Sequence, residues 1–441
     1  MRSSFMWILL FGAVGFGASV SAQTAGPPAQ AWTLDAVVAA ALAQHPLVEA
    51  ASAQLASAEG KRQTAGNLPN PVATYWFENL SASDRAPAVL DRESSIYGTL
   101  PLEPLLQRGA RIAQAQGEIH AARASVSNAE QRVAADAVHA FYRVAVAQAS
   151  LDAMRDNLTA IDQVVEYLRN RVAQGAAPEG DLIRVQVERD RAEAEVTMAD
   201  VELIRAQSTL RPFLGDGTRL DSLRVAAPDV SRESVTLAPL TEFTTHALAQ
   251  RADLVASRAK GEAAAGALSL EHSMVVRQLG ASFGMKRSSG VTSMMGGVSF
   301  TVPLFDRNRG EIKRATADQL AAELEIRWVE RVIRSEVEAG YQVAERLAAR
   351  LVALQPAFLS RAEESRRIAI GTYQEGATSL LQVLDASRAL SDARLTYARL
   401  LAATNESLFD LGVAAGYDPR AAARLGRGPS VPSPTANGGA R

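Results

Sequence analysis

The chain has 441 residues, 47% hydrophobic and 21% charged, with a formal net charge of −2 and no cysteine. It is long enough for one elongated domain or two to three ordinary ones. The composition excludes disulfides, thiolate metal sites and thiol catalysis, and it offers no basic surface of the kind nucleic acid requires.

In chain order, Arg2, the apolar run Phe5–Val20 and the small residues Val20-Ser21-Ala22 read as a secretory signal peptide, residues 1–22. The run falls short of the ~18–20 apolar residues of a membrane span. No cysteine stands at the cleavage point, so no lipid-modified N-terminus is expected, and no transmembrane helix is read beyond Gln23.

"PVATYWFENL" from Pro71 and "SSIYGTLPL" from Ser94 are expected to form a strand pair over about 70–102. A long helix then spans about 108–174. From Ala115 its apolar positions run Ile119, Ala122, Val126, Ala129, Val133, Ala137, Ala140, Val144, Ala147, Leu151, Met154, Leu158, Ile161, Val165, Leu168 and Val172. The steps alternate three and four with one extra four, a heptad seam with a stutter. At ~1.5 Å per residue the helix is roughly 90–100 Å long. Gly175 ends it in a left-handed turn, Pro178 opens the next helix in its first turn, and the hairpin partner covers 179–211.

The same order recurs about 200 residues later. Gly175 matches Gly376 and Gly215 matches Gly416 at an offset of 201, Pro101 matches Pro303 at 202, and "QRVAADAVHAFYRVA" resembles "ERVIRSEVEAGYQVA" at 199. Residues 23–215 and 241–416 are therefore two structural repeats joined by a connector, 216–240. In the second, a strand pair at 276–304 has Leu279, Ala281, Phe283 and Met285 on one face, and Val298, Phe300 and Val302 likewise alternating. A long helix (310–374), the break at Gly376, Ser379 as N-cap and a partner helix (379–411) follow. The tail 417–441, rich in Pro, Gly and Ser near its end, is expected to be disordered.

The fold class expected is mainly α with a small β part: long antiparallel coiled-coil hairpins and four strands per chain. The apolar strand faces have no helices assigned to cover them, which suits an outer-membrane barrel. Four strands are too few to close one, so the barrel has to be shared between subunits.

This pattern resembles the TolC family of outer membrane efflux channels over essentially the whole mature chain. The most specific stretch is "TYQEGATSLLQVLDASRALSDARLTYARL"; "RVAQGAAPEGDLIRVQVERDRAEAE" looks closer to the heavy-metal CzcC and CusC branch. The resemblance implies a homotrimer with a twelve-stranded barrel in outer-membrane lipid and a helical periplasmic tunnel. It also implies docking onto a periplasmic adaptor and an inner-membrane pump of the RND type. The family's tip helix carries two pore-facing aspartates. Asp385 matches the second, and Gln382 stands where the first would be. Tyr373 matches the tyrosine of the tip linkage, but Thr378 replaces its arginine, and Glu375 adds a charge at the mouth. Arg171, Gly175, Ala176, Gly376 and Ala377 are the expected adaptor contacts. Three copies of Asp385 would form a cation-favouring constriction; the plainer reading is an i,i+3 pair with Arg388 on a solvated face.

His45, His120, His139, His246 and His272 are scattered, with no pair at i+3 or i+4 for metal, and no nucleotide or hydrolase motif is present. No enzyme activity and no cofactor are expected. Heavy-metal cations are the expected cargo. The alternatives are drugs, type I protein secretion, or a periplasmic coiled-coil adaptor.

Overall fold

Residues with helical and with strand periodicity separate into two regions in the structure, a computed structural model describing residues 31–79, 92–215, 217–228, 237–275, 278–354 and 357–425. The first half runs α1 (Leu34–Gln44), α2 (Pro46–Gly66), β1 (Val72–Glu78), β2 (Glu93–Pro101), α3 (Glu103–Ala173) and α4 (Glu179–Leu210). The second runs α5 (Leu240–Gln250), α6 (Ala252–Ser273), β3 (Leu279–Ser288), β4 (Val291–Phe300), α7 (Arg309–Leu354), α8 (Phe358–Gln374), α9 (Leu380–Ala414) and α10 (Pro419–Ala422). The signal-peptide residues lie outside the described ones. Among the described residues no single helix is long and apolar enough to cross a membrane.

α3 is one unbroken helix of 71 residues, roughly 105 Å at ~1.5 Å per residue. None of the seam positions from Ala115 to Val172 is exposed. Between Val133 and Leu168 a second row is also buried, including Ala134, Val138, Phe141, Ala145 and Val164, because α3 there touches α1, α4 and α9 at once. The second half departs from the expected single helix over 310–374. α7 stops at Leu354 and α8 begins at Phe358. Pro356 falls in this interval, outside the described residues; proline has no amide to donate and its ring crowds the preceding turn, so a helix ends short of it.

Besides α10, four helices were not read from the sequence. α1 and α5 lie at the waist, where Leu34, Val37 and Val38 join Val133, Phe141 and Leu210 in one core, and Phe243, Ala247 and Leu254 join Ile333, Val337 and Leu408 in another. α2 and α6 lead into the strands, α2 packing along α3 and α6 along both α3 and α7. The connector also adds to the waist: Leu223 and Val225 are buried, and Trp32 pairs with Val225 in a parallel bridge. Part of the region expected to be a disordered tail is folded as well. Residues 417–425 carry α10, whose N-cap Asp418 accepts from the Arg420 amide at 2.8 Å, and Ala422 and Ala423 are buried in the waist core.

The four strands form one antiparallel sheet, β1-β2-β3-β4. Its register sorts the side chains. One face carries Tyr75 and Phe77, Ile96 and Leu100, Leu279, Ala281, Phe283 and Met285, then Met294, Val298 and Phe300. The other is mostly polar, with Thr74, Ser95, Tyr97, Thr99, Ser282, Lys286, Ser293 and Ser299 beside Val72, Trp76, Val291 and Met295, and with Glu78 and Glu93 both within reach of Lys286. Phe77, Phe283, Met294 and Phe300 are exposed, so none of the described residues covers the apolar face.

A side-chain clasp joins α3 to α9 at the waist. His139 Nε2 lies 3.0 Å from Asp410 Oδ1. The hydrogen bond to Asp410 raises the imidazole pKa above its usual range against an opposing effect of burial, helped by the charges of Asp410, Glu406 and Asp136. Burial raises the Glu406 carboxyl, which His139 and Arg143 oppose. Both folded-state values lie above the unfolded ones, so the stability from these groups is full at low pH and is lost as pH rises through them. The expected result is a lower unfolding midpoint in detergent at pH 8 than at pH 6, with His139→Gln flattening the dependence. Since His139 and Asp410 are each nearly half exposed, the effect is on the order of 0.5 kcal/mol.

Candidate functional site: hairpin tips and the exposed stripe of α9

At the end of the molecule away from the sheet, each long helix stops at a glycine with positive φ, Gly175 (68°) and Gly376 (77°). The amides of Gly175 and Ala176 donate to Val172 O and Arg171 O at 2.9 and 2.8 Å, and those of Gly376 and Ala377 to Tyr373 O and Thr372 O at 3.0 and 2.8 Å. These are two Schellman turns, built on the one residue that enters the left-handed region without a Cβ penalty. Pro178 is the N-cap of α4 rather than a residue of its first turn, and Ser379 is the N-cap of α9 without a side-chain bond.

Arg171 spans the first tip, donating from Nη2 to Ala176 O at 3.1 Å and from Nη1 to the Tyr167 hydroxyl at 3.5 Å. The Tyr167 hydroxyl donates to Gln374 O at 3.3 Å, and the rings of Tyr167 and Tyr373 meet edge-on, centroids 5.8 Å apart. Tyr373 of the second tip thus lies against Tyr167 of the first. Burial raises the phenol pKa of Tyr373, reinforced by Asp181 and Tyr167 and opposed by Arg171. Glu375 is the exposed C-cap of α8, and Thr378 donates only to Gln382 Oε1 one turn on. Beneath the tips both hairpins share one core: Ile161, Val165 and Leu168 of α3, Val185 of α4, and Leu380, Val383 and Leu384 of α9.

Asp385 is exposed, on the side of α9 opposite Val383 and Leu384. Its expected alternative partner, Arg388, is engaged elsewhere, donating to Glu188 of α4. Arg394 likewise donates to Asp156 of α3 and, at 3.3 Å, to Glu363 of α8. Two α9 arginines thus fasten the second hairpin to the first, a linkage that sequence reasoning missed because the acceptors on the first hairpin, Glu188 and Asp156, lie 200 and 238 residues away in the chain.

Asp385 belongs to a longer row. Gln382, Asp385, Ala389, Asp392, Thr396 and Arg399 are all exposed and follow one another at steps of three and four. Neither Asp385 nor Asp392 has an ion pair among the described residues. The row contains no large apolar side chain, unlike the exposed sides of α4 (Ile183, Val187, Met198) and α7 (Leu320, Leu324, Trp328). Asp392 was not singled out from the sequence, although its spacing of seven from Asp385 was legible there. Among the described residues no group of three or more His, Asp or Glu is arranged to hold a metal ion.

The family model for outer membrane efflux proteins matches residues 37–216 and 244–417. The chain belongs to the outer membrane efflux protein family. Its place is accordingly the outer membrane, with the helical region extending into the periplasm. This efflux protein is 26% identical to the cobalt-zinc-cadmium resistance protein CzcC of Cupriavidus metallidurans over 389 residues, 87% of this chain and 89% of that one. Its fold is similar to that of the outer membrane protein VceC from Vibrio cholerae, with a TM-score of 0.71 at 21% identity, covering 87% of this chain and 96% of VceC. It also resembles CusC, with a TM-score of 0.70 at 17% identity, covering 90% and 96% respectively.

Proposed function

We propose that this chain is the passive outer-membrane conduit of a tripartite efflux system whose cargo is heavy-metal cations. The observation that carries the conduit is the sheet. Its apolar face is bare, and β1 and β4 are edge strands with no further partner among the described residues. Edge strands invite pairing, and three copies pairing β4 to β1 complete a twelve-stranded barrel continuous with a tunnel of helices. The apolar sides of α4 and α7 then meet neighbouring subunits. The tips at Arg171, Gly175, Ala176, Gly376 and Ala377 meet a periplasmic adaptor, and an inner-membrane pump of the RND type supplies the energy. The cargo reading rests on the likeness to CzcC, whose name is that of a cobalt-zinc-cadmium resistance protein.

The stripe of α9 lines the tunnel, because a polar row without apolar side chains suits water better than a subunit contact. Asp385 forms a ring of three carboxylates there, with Gln382 beside it and Asp392 in a second ring roughly 10 Å farther along. Three charges about 6 Å from an ion on the axis contribute roughly 2 kcal/mol in a water-like dielectric, and about half that after screening. Asp385→Asn should therefore lower the cation-to-anion permeability ratio at least about fivefold, read as the reversal potential of single channels in a salt gradient. An unchanged potential would remove Asp385 from the pore. For the cargo, deleting the gene from its host should raise sensitivity to cobalt, zinc and cadmium. Raised sensitivity to drugs alone would reject the metal reading.

A further inference from the structure

The exposed row of α9 does not end at Arg399. At the same steps of three and four it continues through Ala403, Glu406 and Asp410, all at least partly exposed, so one face of the helix carries it from the tip to the waist. At the waist the row borders an open groove of about 670 Å³, lined by His139 and Arg143 of α3, Arg399, Glu406 and Asp410 of α9, and Glu202 of α4. The groove opens away from the waist cores. Half a turn round α3 from His139 and Arg143 stand Phe141 and Ala145, buried in the first core. Half a turn round α9 from Glu406 and Asp410 stand Leu408, buried in the second, and Gly412, beside Ala422 of α10. The fixed charges balance. Arg143 and Arg399 stand against Asp410 in the groove and Asp136 about one turn along α3, while Glu202 pairs with Arg205 of its own helix at 3.5 Å. Two groups are left to set the sign, His139 and Glu406.

We propose that three copies of this groove form a further charge ring at the waist of the tunnel, a selectivity element whose sign follows the pH of the periplasm through His139 and Glu406. The proposal rests on the reading that the α9 row lines the tunnel. With the imidazole neutral and the Glu406 carboxylate ionised, each subunit contributes a net charge of −1, and with both protonated +1. Cations are favoured at the alkaline end and opposed at the acid end, so acidification restricts the passive return of cations through an open conduit. The Asp385 and Asp392 rings lack this property, because a carboxylate is either negative or neutral. The surroundings support the assignment. The hydrogen bond to Asp410 raises the His139 imidazole against the opposing effect of burial. Burial raises the Glu406 carboxyl, opposed by His139 and Arg143 and reinforced by Asp410.

The test is the reversal potential of single channels of the full mature chain in a planar bilayer under a salt gradient, read from about pH 8.5 to about pH 4.5 to span both titrations. The cation-to-anion permeability ratio of the wild type should fall at least about threefold across that range. Glu406→Gln should lower the ratio at the alkaline end and leave the acid end unchanged. His139→Gln should raise it at the acid end and leave the alkaline end unchanged, a contrast that a merely structural role would not produce. A wild-type ratio independent of pH would overturn the proposal. So would a pH dependence that both single variants keep intact, which would assign it to the carboxylates nearer the tip. The absence of cysteine allows the underlying reading to be tested apart. Ala403→Cys, on the row between Arg399 and Glu406, should lose cation conductance on reaction with a positively charged methanethiosulfonate. No effect would take the row out of the tunnel and overturn both readings, whereas an effect together with a pH-independent wild-type ratio would overturn the charge ring alone.

Discussion

Gly117→Ala is expected to destabilise the channel by about 2 kcal/mol, while the same substitution eight residues earlier, Gly109→Ala, stabilises it. A Cβ at Gly117 would stand 2.6 Å from the Ala263 amide nitrogen, and one at Gly266 would stand 2.7 Å from that of Gln114. These two glycines face each other's helices where α3 and α6 cross, and the atoms they meet are backbone, which cannot rotate away. Overpacking of this kind costs typically ~1–3 kcal/mol, more when helices must separate. At Gly109 nothing lies within 4 Å, so alanine there adds only its helix propensity, about 0.8–1 kcal/mol in its favour. Denaturant midpoints followed by circular dichroism separate the two. Gly117→Leu, which cannot be absorbed by a small shift, should leave no folded heat-resistant oligomer. Equal effects at Gly109 and Gly117 would mean that the crossing is looser than its geometry indicates.

Arg388→Ala combined with Arg394→Ala should open the tunnel. The two arginines hold α9 to Glu188, Asp156 and Glu363. Each such partly exposed pair contributes only ~0.2–1 kcal/mol. The pairs to Glu188 and Asp156 are the two that join the hairpins, and in the proposed trimer, with subunits moving together, six such links at about 0.5 kcal/mol sum to roughly 3 kcal/mol, a shift of about a hundredfold between linked and released states. Single-channel recordings should then show a larger, longer-lived open level, and cells carrying the variant should admit large antibiotics that the outer membrane normally excludes. Tyr167→Phe, which removes only the hydroxyl bonded to Gln374 O, should act in the same direction and more weakly. Conductance unchanged in the double variant would show that the tips are held by their shared apolar core and not by these ion pairs.

Local chemistry determined a good deal of this protein by itself. The seam of α3 runs through positions that no neighbour needs to dictate, the glycines at 175 and 376 are demanded by left-handed turns, and strand alternation shows directly which side chains share a face. Each of these is a short-range rule, satisfied within a turn of helix or a few strand residues.

Tertiary structure decided what depends on distant partners. α2 and α6 are rich in alanine and weakly patterned, so nothing in their own residues marks them as packed along α3. The residues around Asp385 allowed either a pore carboxylate or an i,i+3 pair with Arg388, and only the path of the chain brings Arg388 to Glu188, 200 residues back. Residues 417–425 fold because α1 and α9 stand ready to receive them. A residue's periodicity shows which way it points along its own helix, but the partner it meets is set by the path of the whole chain.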